Sequence, residues 1–414
     1  MSKLVFPAVS RPAVSIAMVT YGAERWVRRA LGAILDHTEP CYEVILVDNA
    51  SPRGMIRRLQ TEIENVRLVF NETNRGFGPA NNQAATLAAA PLLVFLNSDA
   101  LVHEGWLSLL QERLESAPDA GAVAPRLLNL DGTLQEAGAL LFGNGYTQFV
   151  GFGDDPGKPS YRFPRELDYA SAACMLVRRR AFFEVGGFAA EYAPAYYEDV
   201  DFCLELRRRG YRTLYEPRAV VTHVRGASGN PELARRLWLR NHPIFFARWK
   251  EFLAGRPEHT PEDGNPRLQA AARDAPALGR ILLATRKFPA PAGDPRAAEL
   301  ARWLAHAYPW TRRTLLSESP APGAGAVEDL LALGWEIADA EAIAQRPFHY
   351  DAVILRGLDS PHPFEALLER IGGEAAFLRD PDGDPALTPG WDLVQALAAA
   401  GVPAQDLAPA AALA

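Results

Sequence analysis

LVFLNSDA, residues 93–100, carries an apolar run straight into an isolated carboxylate, Asp99. Leu93, Val94, Phe95 and Leu96 lie between Pro91 and the polar pair Asn97-Ser98, which reads as a strand buried on both faces with Asp99 just past its carboxyl end. Ligands of open α/β sheets bind at that edge, so a carboxylate there is placed for a substrate or a metal. Asn, Ser and Asp are also the ordinary residues of a turn after a strand, and for these eight residues alone the turn is the simpler reading. Their neighbours in the chain shift the balance.

Upstream, VSIAMVT (14–20) has the same buried-strand pattern and runs through Tyr21-Gly22 into a helical pattern with Trp26, Val27, Ala30, Ile34 and Leu35. EVILVDNAS (43–51) repeats the arrangement, with Asp48-Asn49 at the strand end; strand, helix, strand at this spacing requires a parallel pair. VRLVF (66–70) is a third strand. In the segment that follows, Gly76 and Gly78 allow a tight turn, Pro79 suits the first turn of a helix, and an Ala-rich stretch to residue 90 propagates it. Three strand ends, Thr20-Tyr21, Asp48-Asn49 and Asn97-Asp99, thus converge on one crevice of a nucleotide-binding half-sheet. Neither GxxxxGK[ST] nor a GxGxxG after the first strand occurs, so phosphates must be handled another way, and a metal held by Asp99 is the economical choice.

Downstream, a Gly- and aromatic-rich stretch to Phe163 has few periodic signals and reads as loops or hairpins near a site. ASAACMLV (170–177) is apolar and small, and 178–188 reads as a short helix closed by Gly186-Gly187. In AYYEDVDFCLELRRRGY, Glu198, Asp199 and Asp201 begin a helix; its dipole favours acids in the first turn, yet three within four positions exceed what capping needs. The Arg207-Arg208-Arg209 triple reads as a solvated helix end. TLYEP and AVVTH read as two short strands, the second ending at His223 ahead of a polar loop, where metal or phosphate contact competes with a merely structural histidine. A helix is expected from 231 to about 253, a Pro-, Glu-, Asp- and Gly-rich linker over 256–278, and a new α/β pattern over 279–414 with strands at 280–285, 314–316, 335–339 and 352–357 and helices at 296–307, 327–333 and 364–371. The Ala-rich last twenty residues are expected to fray.

The composition admits two or three domains in 414 residues, at roughly 150 residues each. A hydrophobic fraction of 48% and a charged fraction of 22% are those of a globular protein. A net charge of −7 argues against nucleic acid as partner. Cys41, Cys174 and Cys203 lie far apart and suggest neither a disulfide framework nor a zinc site. Pro7, Arg11 and Pro12 interrupt any signal-peptide core, and no uncharged apolar run reaches the ~20 residues needed to span a bilayer, so a cytoplasmic location is expected, with peripheral membrane contact left open.

With Asp48, Asp99, Glu198-Asp199 and His223 in this order, residues 1–255 resemble a glycosyltransferase of family 2, in the branch that includes bacterial rhamnosyl- and galactofuranosyl-transferases. The resemblance is carried by VSIAMVTY, EVILVDNAS, NETNRGFGPANNQA, LVFLNSDA, ACMLVRRRAFFEVGGF, YYEDVDFCLELRRRGY and VTHVRGAS. It implies an α/β GT-A fold, a Rossmann-like mixed sheet flanked by helices. Separately, residues 280 to about 402, through ILLATRKFPAPAGDPRAAEL, resemble the first half of a GT-B glycosyltransferase, which implies a second, smaller α/β Rossmann-like domain that docks or positions the acceptor. The family 2 resemblance also implies a nucleotide-sugar donor, a saccharide or lipid-linked acceptor, and a divalent metal, Mg²⁺ or Mn²⁺. By position, Thr20, Tyr21, Asp48 and Asn49 would contact the nucleotide, and Asn74, Gly76, Asn82 and Asn97 would lie along the donor. Asp99 and His223 would hold the metal, Asp199 would be the general base, and Glu198 would orient the acceptor hydroxyl. Asn97 stands where the first acid of a DxD motif is usual, which removes one negative charge from that motif. Such an enzyme would act by a single inverting displacement and serve cell-surface polysaccharide synthesis. A non-catalytic binding protein on a degenerate transferase fold remains an alternative. A nucleotidyltransferase would need a Gly- and Arg-rich loop with Lys after the first strand, and Tyr21-Gly22-Ala23-Glu24 is not one.

Overall fold

The structure, a computed structural model, describes residues 3–52, 60–226, 230–259, 266–277, 279–309, 311–346, 349–358, 367 and 376–380. The chain forms two compact units, one of residues 1–156 with 166–256 and one of 157–165 with 257–414. The expected helix at 364–371 and the last twenty residues lie outside the described residues, apart from residue 367.

In the first unit the apolar runs become strands β1 (Val14–Thr20), β2 (Tyr42–Asp48), β3 (Arg67–Phe70) and β4 (Leu92–Leu96). They stand in the order β3-β2-β1-β4, and every neighbouring pair is parallel. The connecting helices α1 (Glu24–His37) and α2 (Phe77–Leu87) turn a small-residue or apolar stripe inward; in α1 it is Val27, Ala30, Leu31 and Ile34, at the 3–4 residue spacing of one helical face. Such crossovers cover both faces of the sheet, which is why its strands read as unbroken apolar runs.

Beyond β4 the sheet turns mixed. Further strands are β5 (Ala100–Val102), β6 (Ala120–Leu128), β7 (Leu134–Glu136), β8 (Cys174–Arg178) and β9 (Arg212–His223). Strand β8 runs antiparallel between β4 and β6, β9 is parallel to β6, and the short β5 and β7 pair antiparallel with β9 and β6. TLYEP and AVVTH, read as two strands, form the single strand β9, whose pairing with β6 shifts register between Glu216 and Val220; an irregularity, not a break, accommodates the Glu216-Pro217 step. Under β4, Phe95, Phe182, Phe188 and Phe202 form a buried ring cluster with neighbouring centroids 4.8–5.4 Å apart. Each such side chain contributes about 1.5–3 kcal/mol by leaving water, which makes the strand carrying Asp99 a rigid support.

The second unit holds strands β10 (Gly279–Thr285), β11 (Thr311–Ser317), β12 (Trp335–Ile337), β13 (Ala352–Arg356) and β14 (Ala376–Asp380), all parallel, in the order β12-β11-β10-β13-β14. Ile281 and Leu283 join one apolar cluster and Leu282 and Ala284 the other, so both sheet faces are buried. The α/β architecture, a mixed sheet flanked by helices followed by a smaller all-parallel domain, is the expected one.

Part of the stretch read as linker is structured. Residues Pro266–Arg273 form a helix, and Asp274 after it is fully buried. Asp274 accepts hydrogen bonds from Arg273, Arg312 and His349, and Glu336 from Arg273 and Arg346, at 2.7–2.9 Å. The guanidinium groups hold both carboxyls well below the usual carboxylate range despite their burial. The helix owes its place to these distant partners, which local composition does not reveal.

Candidate active site

Strands β1 and β2 end in register, Thr20 opposite Asp48, and the Asn49 amide bonds the Thr20 carbonyl at 2.8 Å. Thr20 Oγ1 donates to the Gly22 carbonyl, and Asp48 Oδ1 caps the next turn by accepting from the Ser51 amide. Asn49 is buried and is the hub of the 71–76 loop. Its Nδ2 donates to Asn74 Oδ1 at 2.9 Å and to the Gly76 carbonyl, while its Oδ1 accepts from Asn71 Nδ2 and the Arg75 amide. Gly76 precedes α2 at φ 86°, and a Cβ there would stand 2.8 Å from Pro194 Cα, so both the left-handed backbone and the close approach demand glycine. Tyr21 is exposed at the strand end. Asn82, expected along the donor, clamps both the N–H and the carbonyl of Phe188 with its amide, at 2.9 and 2.8 Å, and so ties α2 to the phenylalanine cluster.

At the end of β4, Asp99 Oδ1 lies 3.3 Å from His223 Nε2, and Asn97 Nδ2 donates to the same ring nitrogen at 3.1 Å. Strand β5 places them together, because its pairing with β9 sets Ala100 opposite His223. Sequence reading missed Gln135. Its Nε2 donates to the His223 carbonyl and to Asn129 Oδ1, which leaves Oε1 to accept from His223 Nδ1 at 2.7 Å. Nδ1 therefore carries the proton, and Nε2 is left as the ring's acceptor, taking the Asn97 amide beside Asp99. Among the described residues no three His, Cys, Asp or Glu side chains gather as a metal cage. Asp99 Oδ1 and His223 Nε2, 3.3 Å apart, are an oxygen and an imidazole nitrogen that together could hold a divalent ion.

The acidic helix, Glu198–Arg208, sorts its three acids by environment. Asp201 is buried and accepts from Tyr192 Oη at 3.0 Å and Trp249 Nε1 at 2.7 Å, a structural role. Glu198 is buried with its Oε2 unpartnered among the described residues, and burial with the neighbouring Asp199 charge pushes its carboxyl well above the usual range. Asp199 is partly exposed and accepts from the Ala172 amide at 3.2 Å and the Val200 amide at 2.9 Å. Burial raises its pKa too, but these two amides favour its ionised form. Tyr196 and Tyr197 enter the helix at φ 79° and 74°, a strained backbone held by the Tyr197 hydroxyl on the Gly145 carbonyl and by its ring on Phe245, 4.8 Å between centroids.

A second carboxyl that sequence reading missed, Glu136, is buried at the end of β7 with Oε2 unpartnered, and burial pushes its pKa to about 8. Residues 171–173 knit the site: the Ser171 amide bonds Glu136, the Ala172 amide Asp199, and the Ala173 carbonyl the Asn97 amide. The Asp99–His223 pair and the carboxyls of Glu136 and Asp199 thus flank one short segment. Asp199, held by two backbone amides, thus stands beside two carboxyls that burial pushes upward, Glu198 and Glu136.

Residues 15–186 match the family model described as "Glycosyl transferase family 2". The chain is 29% identical over 244 residues, 54% of its length and 79% of the other's, to the N-acetylglucosaminyl-diphospho-decaprenol L-rhamnosyltransferase of Mycobacterium tuberculosis. It is 31% identical over 241 residues, 54% of its length and 18% of the other's, to the O-antigen biosynthesis protein RfbC of Myxococcus xanthus. The mannosyltransferase PcManGT of Pyrobaculum calidifontis, solved with GDP-Man and Mn²⁺, superposes with a TM-score of 0.43 at 21% identity over 64% of this chain and 70% of its own. The chain spans less than a third of the length of two of the curated relatives it matches. No described helix is long and apolar enough to cross a membrane.

Proposed function

We propose that this chain, a glycosyltransferase of family 2 over its first unit, moves a sugar from a nucleotide-sugar donor to a hydroxyl of a saccharide acceptor with inversion. The observation that carries the reading is the pairing of a backbone-stabilised carboxylate, Asp199, with the Asp99–His223 pair across residues 171–173. The nucleotide lies against the ends of β1 and β2, where Thr20, Asp48 and Asn49 shape the crevice. Asp99 and His223 would hold a divalent cation, Mg²⁺ or Mn²⁺, which when bound would offset charge on the leaving diphosphate. Asp199 takes the acceptor proton as the new C–O bond forms, and the bond from the anomeric carbon to the diphosphate breaks with its electron pair on phosphate oxygen. Glu198, neutral beside it, orients the hydroxyl. With base and leaving group on opposite faces of the sugar, one displacement inverts the centre.

The relative named for L-rhamnosyl transfer supports a polyprenyl-diphosphate saccharide as acceptor, and the one named for O-antigen biosynthesis supports a place in cell-surface polysaccharide synthesis; a polyprenyl-linked acceptor would bring the chain into peripheral contact with a membrane. The second unit serves to dock or position the acceptor.

The test is a screen of nucleotide sugars for nucleoside diphosphate release with Mn²⁺, on the parent and on Asp199→Asn. Loss of a positioned base lowers transfer by about 10²–10⁴ with donor affinity retained. A variant that transfers at the parent rate removes Asp199 from the chemistry.

A further inference from the structure

Two residues beyond His223 the chain carries a cation that no ion pair occupies among the described residues. Arg225 is exposed, and its guanidinium lies over two aromatic rings, 5.6 Å from the centroid of Phe149 and 5.3 Å from that of Phe152. Ring faces attract a guanidinium and fix its plane while leaving its N–H edge free to donate. Its backbone is left-handed, φ 61°, in a residue with a long side chain, and the next residue, Gly226, is at φ 81°. That conformation is costly for arginine and is kept where the surroundings require it.

The position is specific. The Val224 amide bonds the Asp99 carbonyl at 3.1 Å, so the segment leading to Arg225 is tied to the metal pair. On the other side, the charge of Arg225 acts on Glu136 and on Tyr196, which border Asp199 and Glu198. A preoriented, exposed fork with no ion pair among the described residues, between the Asp99–His223 pair and a carboxyl cluster, suits a doubly charged oxyanion.

We propose that Arg225 is a diphosphate-binding residue of the transfer site, held in register by Phe149 and Phe152 and donating to non-bridging phosphate oxygens. The proposal rests on the glycosyltransferase reading, under which a diphosphate occurs on the nucleotide donor and on a polyprenyl-linked acceptor. The chemistry of recognition is the same for both.

Calorimetric titration of the full chain with UDP, GDP and dTDP in Mn²⁺, and with the corresponding nucleosides, tests it. Arg225→Ala is expected to weaken the diphosphates about tenfold or more and the nucleosides not at all, with Arg225→Lys in between because one ammonium replaces a planar fork. A second arm compares transfer to an octyl glycoside with transfer to the same sugar on farnesyl diphosphate. A KM rise confined to the latter, with nucleoside diphosphate affinity unchanged, assigns Arg225 to the acceptor diphosphate. Parent-like values in both arms overturn the inference and leave the glycosyltransferase reading standing. A parent chain that binds none of the three nucleoside diphosphates overturns that reading itself.

Discussion

Replacing Glu136 with Gln should make the first unit more stable, and increasingly so as the pH rises from 5 to 8. In the fold, burial lifts the carboxyl from 4.5 to about 8, helped by the charge of Asp199 and opposed by the Ser171 amide and by Arg225. Between those two pH values the folded chain keeps the proton and the unfolded chain has lost it. Stability from this group is therefore complete below about 4.5 and drains away as pH rises toward 8. At about 1.4 kcal/mol per pH unit, the interval of about 3.5 amounts to about 5 kcal/mol. That is a large part of the 5–15 kcal/mol typical of a whole domain. A Gln side chain is neutral at every pH and fills the same space, so it removes the drain without opening a cavity. Scanning calorimetry of parent and Glu136→Gln at half-unit intervals from pH 5 to 8.5, following the transition of the first unit, should give curves that nearly meet at pH 5 and spread steadily above it. Curves that stay parallel would show that Glu136 has an ordinary carboxyl and that its buried oxygen is solvated after all.

Gln135→Leu should lower Mn²⁺ affinity, read by electron paramagnetic resonance in the presence of a nucleoside diphosphate, by about 10–100-fold, because His223 loses the partner that fixes its tautomer; an unchanged affinity would remove His223 from the metal site. In the second unit, Glu336→Gln should cost about 3–5 kcal/mol in urea unfolding by leaving Arg273 and Arg346 without their buried carboxylate, with no change in nucleoside diphosphate release from a donor. Reduced release in that variant would mean that the charged cluster supports catalysis as well as the fold.

The sequence by itself determined the elements whose signal is local. Strands β1, β2 and β4 are buried on both faces, so their apolar runs are continuous, and the residues just past them, Asn49 and Asp99, are assigned to the crevice by adjacency alone. The acidic start of the helix at Glu198 was legible for the same reason. Which of its acids does what was not, because Glu198, Asp199 and Asp201 share one turn and differ only in what packs on them: Trp249 and Tyr192 claim Asp201, the Ala172 amide claims Asp199, and nothing among the described residues claims the far oxygen of Glu198. The tertiary structure also decided Gln135 and Glu136, which lie on a three-residue strand with no periodicity and acquire meaning from His223 and Ser171, 88 and 35 positions away. It took Asn82 for a clamp on Phe188, 106 positions on, and it ordered the helix at 266–273 through Arg312, Glu336, Arg346 and His349. Burial pattern is written along the chain, but a hydrogen-bond partner is chosen in space, and polar side chains take their roles from the partner.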